Sequence, residues 1–201
     1  ATLCDIEPVG CSEIEPFPIK VTRARFPKMK HYRDISQING AELEPVDVIT
    51  GGSPCQSLSI AGKRDGMSKK CLACDYIIIA TEETNICPKC GGVMVYTRSG
   101  LFMEQIRVIK EMRKADAERR LQSGRTDEPI RPRFMVWENV TGAFTSNKGE
   151  DFRAVLEETA RIVDKFATIP RPTDNKWKNA GLIVGDGYSI AWRVLDAQYW
   201  G

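Results

Sequence analysis

Four of the seven cysteines form two closely spaced pairs of a kind that can hold a metal ion together. Cys71 pairs with Cys74 and Cys87 with Cys90, each as C-x-x-C. Four thiolates in two tight pairs form a tetrahedral set that suits Zn²⁺, and a complete shell leaves no position for water. The predicted zinc ion is therefore structural. The alternative is two independent redox or incidental pairs, and a thiol oxidoreductase is least favoured because neither pair opens a helix after a strand.

A further cysteine, Cys55, lies at the centre of a glycine-flanked loop at residues 51–62, GGSPCQSLSIAG. Pro54 fixes the backbone before the sulfur, and the glycines permit close approach of another group. A thiolate is a strong nucleophile near neutral pH when positive charge stabilises it, and two basic residues follow the loop. The alternative is a buried, inert cysteine near a turn. Because His31 is the only histidine, cysteine and carboxylates are the expected carriers of chemistry.

Strands and helices alternate along the chain. The predicted elements are buried strands at 46–50 and 134–137, a strand at 188–195, amphipathic helices at 101–121 and 151–165, and polar loops at 123–133 and 170–178. This alternation predicts an α/β open sheet, whose ligands bind outside the carboxyl ends of the strands. Cys55 and Glu138 follow two of these strands. Residues 67–97 break the pattern and are predicted to be a small insertion ordered by its metal.

The composition fits a globular protein with one main domain. The chain has 201 residues, of which 42% are hydrophobic and 28% charged. With 29 Lys and Arg against 27 Asp and Glu, the net charge of +2 neither demands nor excludes a polyanionic partner. The longest apolar runs are too short to cross a bilayer, and the N-terminus lacks a basic leader region. We therefore expect a cytoplasmic protein without a membrane partner.

Six segments resemble motifs of the DNA cytosine-5 methyltransferases, in that family's order. Residues 52–62, GSPCQSLSIAG, resemble the fourth motif, and residues 137–140, WENV, the sixth. The others are residues 12–15 (SEIE) for the second, 33–35 (RDI) for the third, 100–102 (GLF) for the fifth and 194–201 (VLDAQYWG) for the opening of the eighth. The resemblance covers nearly the whole chain apart from the cysteine insertion.

The resemblance implies a methyl transfer from S-adenosylmethionine to C5 of a cytosine flipped out of double-stranded DNA. It makes Cys55 the nucleophile at C6 and Glu138 the group that hydrogen-bonds N3 and the exocyclic amine. Gln56 and Ser59 would lie near the backbone of the extruded nucleotide. The implied cofactor contacts are Glu13, Ile14, Asp34, Ile35, Pro54 and Leu101. Three alternatives stay open: Glu138 pairs with an arginine, Asp34 is an ordinary turn cap, and Glu15 replaces Glu13.

The fold implied by the resemblance is Rossmann-like, of the α/β class, with a zinc-ribbon insertion. The family's first motif, a glycine-rich loop after the first strand, is absent, so we expect the sheet to lack that strand. The predicted parts are 1–66, which carries cofactor and nucleophile residues, the ribbon at 67–98, and the remainder of the catalytic domain at 99–201, without a target-recognition region. The chain is expected to be an internal piece of a longer methyltransferase. In this family the segment after the Pro-Cys-Gln loop closes over DNA, and the ribbon is expected to rigidify or extend it.

Two other functions remain open at the level of sequence. One is a catalytically incomplete fragment that acts as a zinc-ribbon nucleic-acid-binding module on the same scaffold. The other is an RNA methyltransferase, because a Pro-Cys nucleophile alone does not distinguish DNA from RNA.

Overall fold

The computed structural model describes residues 6–53, 68–79, 84–96 and 99–199. Its strands are β1 (Gly10–Cys11), β2 (Lys30–His31), β3 (Val48–Gly51), β4 (Ser68–Cys71), β5 (Ile77–Ile79), β6 (Met94–Tyr96), β7 (Phe134–Trp137), β8 (Ala180–Gly185) and β9 (Tyr188–Arg193). Its α-helices are α1 (Pro16–Arg25), α2 (Phe102–Ser123) and α3 (Glu150–Ala160). The fold is therefore mixed α/β, which confirms the predicted class at this level. The Rossmann-like arrangement without its first strand stays a prediction.

The chain divides into two compact units, which are described separately. The first comprises Ala1–Ile49 and Arg107–Met135, and the second comprises Thr50–Ile106 and Val136–Gly201. The predicted boundaries at residues 66 and 98 stay predictions. In the described part of the chain, the strands form four small sheets. Two of these sheets are parallel pairs of strands.

In the first unit, β1 and β2 form a parallel pair joined by α1. Gly10 lies opposite Lys30, and Cys11 lies opposite His31. Pro16 suits the first position of α1 because the N–H that proline lacks would have no helical partner there. None of the ten residues of α1 is buried. The strand pair thus brings the loops that follow β1 and β2 to one edge.

The part of α2 in the first unit is fixed by polar side chains as well as by buried apolar ones. Val108, Ile109 and Met112 are buried. The Arg107 guanidinium donates to the backbone oxygens of Ile38 and Ile35 at 2.8 and 3.0 Å. These bonds hold the segment after β2 against the helix.

β3 and β7 pair with each other. The backbone oxygen of Asp47 accepts from Phe134 N–H at 3.0 Å, and that of Gly51 accepts from Glu138 N–H at 2.9 Å. Both partners advance by four residues in the same direction, so the strands are parallel. Alternate residues of each strand are exposed, including Phe134 and Val136. The prediction that both strands are buried was wrong, since within the described residues each has one neighbouring strand.

In the second unit, a three-stranded antiparallel sheet with the order β5-β4-β6 carries the four paired cysteines. Elsewhere in this unit, α3 buries Phe152, Val155 and Leu156. The Phe152 ring makes edge contacts with Phe144, Trp177 and Trp192, with centroids 4.6, 5.2 and 5.7 Å away. These aromatic contacts attach the loop before α3 and the hairpin of β8 and β9 to the helix.

Two sequence predictions in the second unit need correction. The helix predicted for 151–165 ends at Ala160, because Ile162 and Val163 N–H groups bond three residues back and the Asp164 carboxylate caps the next turn. The strand β8 was not predicted. It pairs antiparallel with β9 across Asp186 and Gly187, and Gly187 has a φ of +75° that favours glycine.

The other predicted elements are present. The helix at 101–121 corresponds to α2, the strand at 134–137 to β7, and the loops at 123–133 and 170–178 are irregular apart from the end of α2. None of the helices in the described ranges combines the length and the apolar composition needed to cross a membrane.

Candidate functional site

The ends of β3 and β7 bring Glu138 beside the backbone that leads to Cys55. A methyl group built on Gly52 would lie 3.3 Å from Glu138 Oε2, so this carboxylate lies directly against Gly52. Parallel pairing fixes this proximity, because Glu138 N–H bonds to Gly51 one residue earlier. Within the described residues, no arginine forms an ion pair with Glu138, and its side chain is exposed. The carboxylate is therefore available to a ligand at this edge.

Ser53 is held in place by the two residues that flank Glu138. Asn139 Nδ2 donates to the backbone oxygen of Ser53 at 2.9 Å and to its hydroxyl at 3.2 Å. Trp137 Nε1 donates to the same hydroxyl at 3.3 Å. The Trp137 ring in turn makes an edge contact with the fully buried Phe102 ring, with centroids 5.5 Å apart. The backbone just before the Pro-Cys-Gln segment is thus anchored to the end of β7.

This anchor was not among the predicted site residues. Asn139 stands in the WENV segment, but the sequence alone does not show which strand its side chain reaches. The predicted residues Pro54, Cys55, Gln56 and Ser59 lie outside the described residues. Leu101, a predicted cofactor contact, is half-buried in a short 3₁₀ turn, Ser99–Leu101, directly before α2.

The predicted cofactor residues of the first unit follow β1 and β2. Ser12 Oγ donates to the backbone oxygen of Arg33 at 2.7 Å, which ties the two loops together. Glu13 Oε1 accepts the N–H groups of Ile14 and Glu15 at 2.8 Å each. The structure therefore brings the second and third motif-like segments side by side at the carboxyl ends of a parallel pair.

Asp34 caps the short 3₁₀ turn that follows it. Its Oδ1 accepts Ser36 N–H at 2.9 Å. In the ranges that the structure describes, neither Asp34 Oδ2 nor Glu13 Oε2 accepts a hydrogen bond. Each carboxylate thus keeps one oxygen for an outside donor. Ile14 is 63% exposed and Ile35 is half-buried, so both apolar side chains retain accessible surface.

The four paired cysteines form one cluster in the second unit. Their sulfur atoms all lie within 4.8 Å of one another, with Cys71 3.5 Å from Cys90 and Cys74 3.6 Å from Cys87. Zn–S bonds of about 2.3 Å in a tetrahedron place sulfurs about 3.8 Å apart. The observed sulfur–sulfur distances fit that geometry. The distances of 3.5 and 3.6 Å each join a cysteine of one pair to a cysteine of the other, so the two pairs form one cluster.

The two cysteine pairs share one backbone pattern. Cys71 O accepts from Asp75 N–H, and Cys71 N–H donates to Tyr76 O. Cys87 repeats these bonds with Gly91 and Gly92. Asp75 and Gly91 occupy equivalent positions with φ values of +58° and +74°. A side chain on Gly92 would lie 3.1 Å from Cys71 Sγ and 3.3 Å from Cys90 Sγ, so glycine leaves room for the sulfurs.

The local electrostatics favour a thiolate at Cys71. Burial raises the pKa of this thiol, but hydrogen bonds from the N–H groups of Ala73 and Cys74 outweigh burial and lower the pKa to about 7. At Cys90 the Gly92 N–H lowers the pKa, but the neighbouring thiols of Cys74 and Cys71 outweigh it and raise the pKa to about 12. The Cys71 thiol can thus lose its proton near neutral pH, whereas the Cys90 thiol keeps its proton there.

Comparison with known proteins supports the resemblance. Residues 2–84 match the model of the C-5 cytosine-specific DNA methylases. This segment is therefore similar to that family. The matched segment includes β1, β2 and β3, the Glu13 and Asp34 loops, and Cys55. The resemblance found in the motifs is thereby confirmed.

The individual relatives are all named as methyltransferases, and one of the names states a target base. Orphan methyltransferase M.SPBetaI of Bacillus phage SPbeta is 30% identical over 79% of this chain and 33% of its own length. Type II methyltransferase M1.ScrFI of Lactococcus lactis subsp. cremoris is 28% identical over 75% of this chain and 27% of its own. A protein of Escherichia phage P1 named DNA N-6-adenine-methyltransferase is 27% identical over 98% of this chain and 24% of its own. The chain spans about a quarter to a third of the length of these relatives.

Proposed function

We propose that this methylase segment contributes to methyl transfer to C5 of a cytosine flipped out of double-stranded DNA, with Cys55 as nucleophile. The observation that carries the proposal is the contact of Glu138 with Gly52. Cys55 follows Ser53 by two residues. A carboxyl and a thiol are the two groups that a pyrimidine needs at its N3 and C6 edges.

The proposed step uses the two side chains on the same base. The Cys55 thiolate forms a bond to C6, and the C5–C6 π electrons move to C5, which becomes nucleophilic. The Glu138 carboxyl donates to N3 and accepts from the exocyclic amine, which stabilises the charge that develops in the ring. Once C5 carries the methyl group, a solvent base takes the C5 proton, the C5–H electron pair re-forms the C5–C6 double bond, and the C6–S bond breaks to release the thiolate. Because C6 lies inside the base stack, the base must leave the duplex first.

The anchor at Ser53 supports this chemistry by positioning. Three hydrogen bonds from Asn139 and Trp137 fix the residue that precedes Pro54. A nucleophile held by such a support loses less entropy on reaching the reactive geometry. Ser53, Trp137 and Asn139 are therefore proposed as positioning residues. Gln56 and Ser59 remain proposed contacts to the backbone of the flipped nucleotide.

The loops after β1 and β2 support the cofactor assignment. S-adenosylmethionine would supply the methyl group on its sulfonium sulfur. The open carboxylate oxygens of Glu13 and Asp34 suit the ribose hydroxyls and the adenine amino group. Ile14 and Ile35 offer apolar surface for the adenine ring. Pro54 and Leu101 complete the proposed set.

Zinc is the proposed ligand of the cysteine cluster. The four sulfurs have the spacing of a tetrahedral site. Within the described residues, the core of the ribbon around them is small and consists of Ile78 and Met94 beside Cys71 and Cys87. Metal binding would therefore supply most of the folding free energy of this segment. A saturated thiolate shell makes the ion structural.

Covalent trapping tests the central proposal. Fluorine at C5 cannot leave as the proton does, so duplex DNA with 5-fluorocytosine should trap the Cys55 adduct in the presence of S-adenosylmethionine. We expect a denaturant-stable complex that Cys55→Ser abolishes and Cys11→Ser, a cysteine of the first unit, preserves. An adduct that survives Cys55→Ser, or no adduct with the wild-type chain, would overturn the proposal. Zinc-dependent DNA binding without an adduct would instead support the nucleic-acid-binding module.

Methylation of adenine N6 is a second candidate, favoured by the name of the phage P1 relative. An exocyclic amine carries its own nucleophilic electron pair, so this reaction requires no thiolate adduct. Mass spectrometry of nucleosides from methylated DNA separates the two. A 5-methylcytosine product that disappears in Cys55→Ser supports the cytosine reaction. N6-methyladenine that persists in Cys55→Ser supports the second candidate.

A further inference from the structure

One stretch of the first unit concentrates positive charge that the proposed chemistry does not use. Residues 16–33, here called the basic segment, contain no Asp or Glu and six cations, Lys20, Arg23, Arg25, Lys28, Lys30 and Arg33. Outside the segment, 23 Lys and Arg stand against 27 Asp and Glu, so the rest of the chain has a net charge of −4. The positive net charge of the protein therefore originates in eighteen residues.

The charge of the basic segment is not neutralised by the described protein around it. All six cations are exposed, and none forms an ion pair with any residue that the structure describes. Some arginines elsewhere behave differently. Arg120, Arg153 and Arg161 each bond to at least one carboxylate at 2.6–2.8 Å. Unpaired, exposed cations in one segment are the electrostatic footprint of a polyanionic partner.

No residue of the helix in this segment is more than partly buried. α1 has ten residues, none of them buried, and Phe17 and Val21 are 76% and 40% exposed. Helices of this length are marginal without a packed face. Arg23 and Arg25 are placed to favour the negative end of the helix dipole, but Lys20, Lys28 and Lys30 are not. The dipole therefore does not explain the whole cluster.

We propose that the basic segment is a phosphate-binding surface for the backbone of duplex DNA. The choice of partner rests on the proposed function. α1 extends about 15 Å, the length of about four base-pair steps, so cations along and beyond it can meet successive phosphates. Such contacts increase affinity for any sequence and leave the choice of target to other residues.

The flanking carboxylates do not cancel this surface. Glu13 and Asp34 border the segment together with Glu15. Glu13 Oε1 and Asp34 Oδ1 accept backbone N–H groups of their own loops, not the cations of the segment. Arg33, next to Asp34, is left unchanged in the test below, so that the proposed cofactor loop is preserved.

The salt dependence of DNA binding tests the proposal. The test variant is Lys20→Gln/Arg23→Gln/Lys28→Gln, and the matched control is Lys114→Gln/Lys176→Gln/Lys178→Gln, three exposed lysines outside the segment. The probe is a duplex of dA and dT only, which contains no cytosine. We expect the slope of log K against log salt concentration to become shallower by about 2–3 in the test variant and to stay unchanged in the control. Circular dichroism and thermal melting verify that both variants fold.

The outcomes separate this proposal from the proposed function. Equal slopes in the wild type and the test variant, or equal losses in test and control variants, would overturn the phosphate-binding surface. Loss of binding to phosphatidylserine vesicles with unchanged DNA binding would also overturn it and indicate an anionic membrane surface. A shallower slope in the test variant supports it even if 5-fluorocytosine traps no adduct, since the dA·dT probe reports on phosphate contacts alone.

Discussion

The carboxylate of Glu138 lies against Gly52. The substitution Glu138→Gln replaces it with an amide of the same shape, so the effects of the two groups can be compared directly. In Glu138→Gln the amide can still donate to N3 and accept from the exocyclic amine, but it cannot take up and release the proton. We expect the adduct with 5-fluorocytosine DNA to form about 10²- to 10³-fold more slowly, with DNA affinity nearly unchanged. Rapid-quench measurement of the adduct provides the rate.

Glu118→Gln is the matched control for this substitution. Glu118 is an exposed carboxylate of α2 with no hydrogen bond or ion pair among the described contacts. It should trap DNA at the wild-type rate. If Glu138→Gln formed the adduct at the same rate as the control, Glu138 would be an ordinary carboxylate at the end of a strand.

At the level of single residues, the sequence predicts side-chain chemistry better than side-chain contacts. The order of the motif-like segments pointed to Glu13, Asp34 and Glu138, and the structure places each of them after a strand of a parallel pair. The bonds from Asn139 and Trp137 to Ser53 were not predicted. They depend on the register between β3 and β7, which separate segments of sequence do not specify.

Among the elements, the cysteine ribbon should depend on its metal most strongly. Cys87→Ser removes one of four proposed ligands from a sheet whose core, within the described residues, otherwise contains Ile78 and Met94. We expect bound zinc to fall from about one ion per chain to below about one-tenth, with loss of amide protection at Leu72 and Met94. Metal analysis and hydrogen exchange measure both.

Cys11→Ser serves as the control for zinc content, because Cys11 lies in β1 and contacts His31 at 3.3 Å rather than the cluster. Full zinc occupancy in Cys87→Ser would show that the four cysteines do not act as one site.

The contacts of Asp116 in α2 with Arg120 and with the loop after the helix should make the free energy of unfolding fall at acid pH. Burial would raise the pKa of Asp116, but the Arg131 N–H at 2.9 Å and the Arg120 guanidinium at 2.6 Å outweigh burial and hold it below its ordinary 3.8. The stabilising contribution is therefore complete above about pH 5 and is lost as the pH falls from 3.8 through the lower pKa of the folded state. Urea unfolding at several pH values should show the wild type losing stability more steeply than Asp116→Asn.

Asp116→Asn is also expected to lower the thermal midpoint at neutral pH by several degrees, because it weakens a buried ion pair. Asp127→Asn, an exposed change in the following loop, should match the wild type at every pH. Parallel acid profiles for wild type and Asp116→Asn would contradict the assignment.

Elements with strong periodicity were predicted well, and those fixed by local bonds were not. α2 and β7 match their predicted ranges closely. The end of α3 depends on the Asp164 cap, and the pairing of β8 with β9 depends on a two-residue turn at Asp186 and Gly187. The Asp-Gly turn was a readable hairpin signal, since apolar residues flank it on both sides.

For the whole molecule, average composition concealed the charge asymmetry. A net charge of +2 is uninformative, yet it combines a basic segment with an acidic remainder. The family match and the structure also provide information about different parts of the chain. The match covers residues 2–84, whereas Glu138 and its neighbours come into the site through strand pairing.

A packed route inside the second unit connects the ribbon to the anchor before Cys55, and it leads to a prediction for the whole protein. β4 and β6 lie against the turn Ser99–Leu101, which leads directly to Phe102. Phe102 contacts Trp137, which bonds to Ser53. Removing zinc with a chelator should therefore slow adduct formation about tenfold, by loosening the support of the nucleophile loop.

The same treatment should change the affinity for the dA·dT duplex much less, because the basic segment lies in the first unit. Chelator should have no further effect on Cys87→Ser, and added Zn²⁺ should restore the wild-type rate. If trapping were unchanged after zinc removal, the ribbon would not support the site, and the expectation that it rigidifies the segment after the Pro-Cys-Gln loop would be wrong.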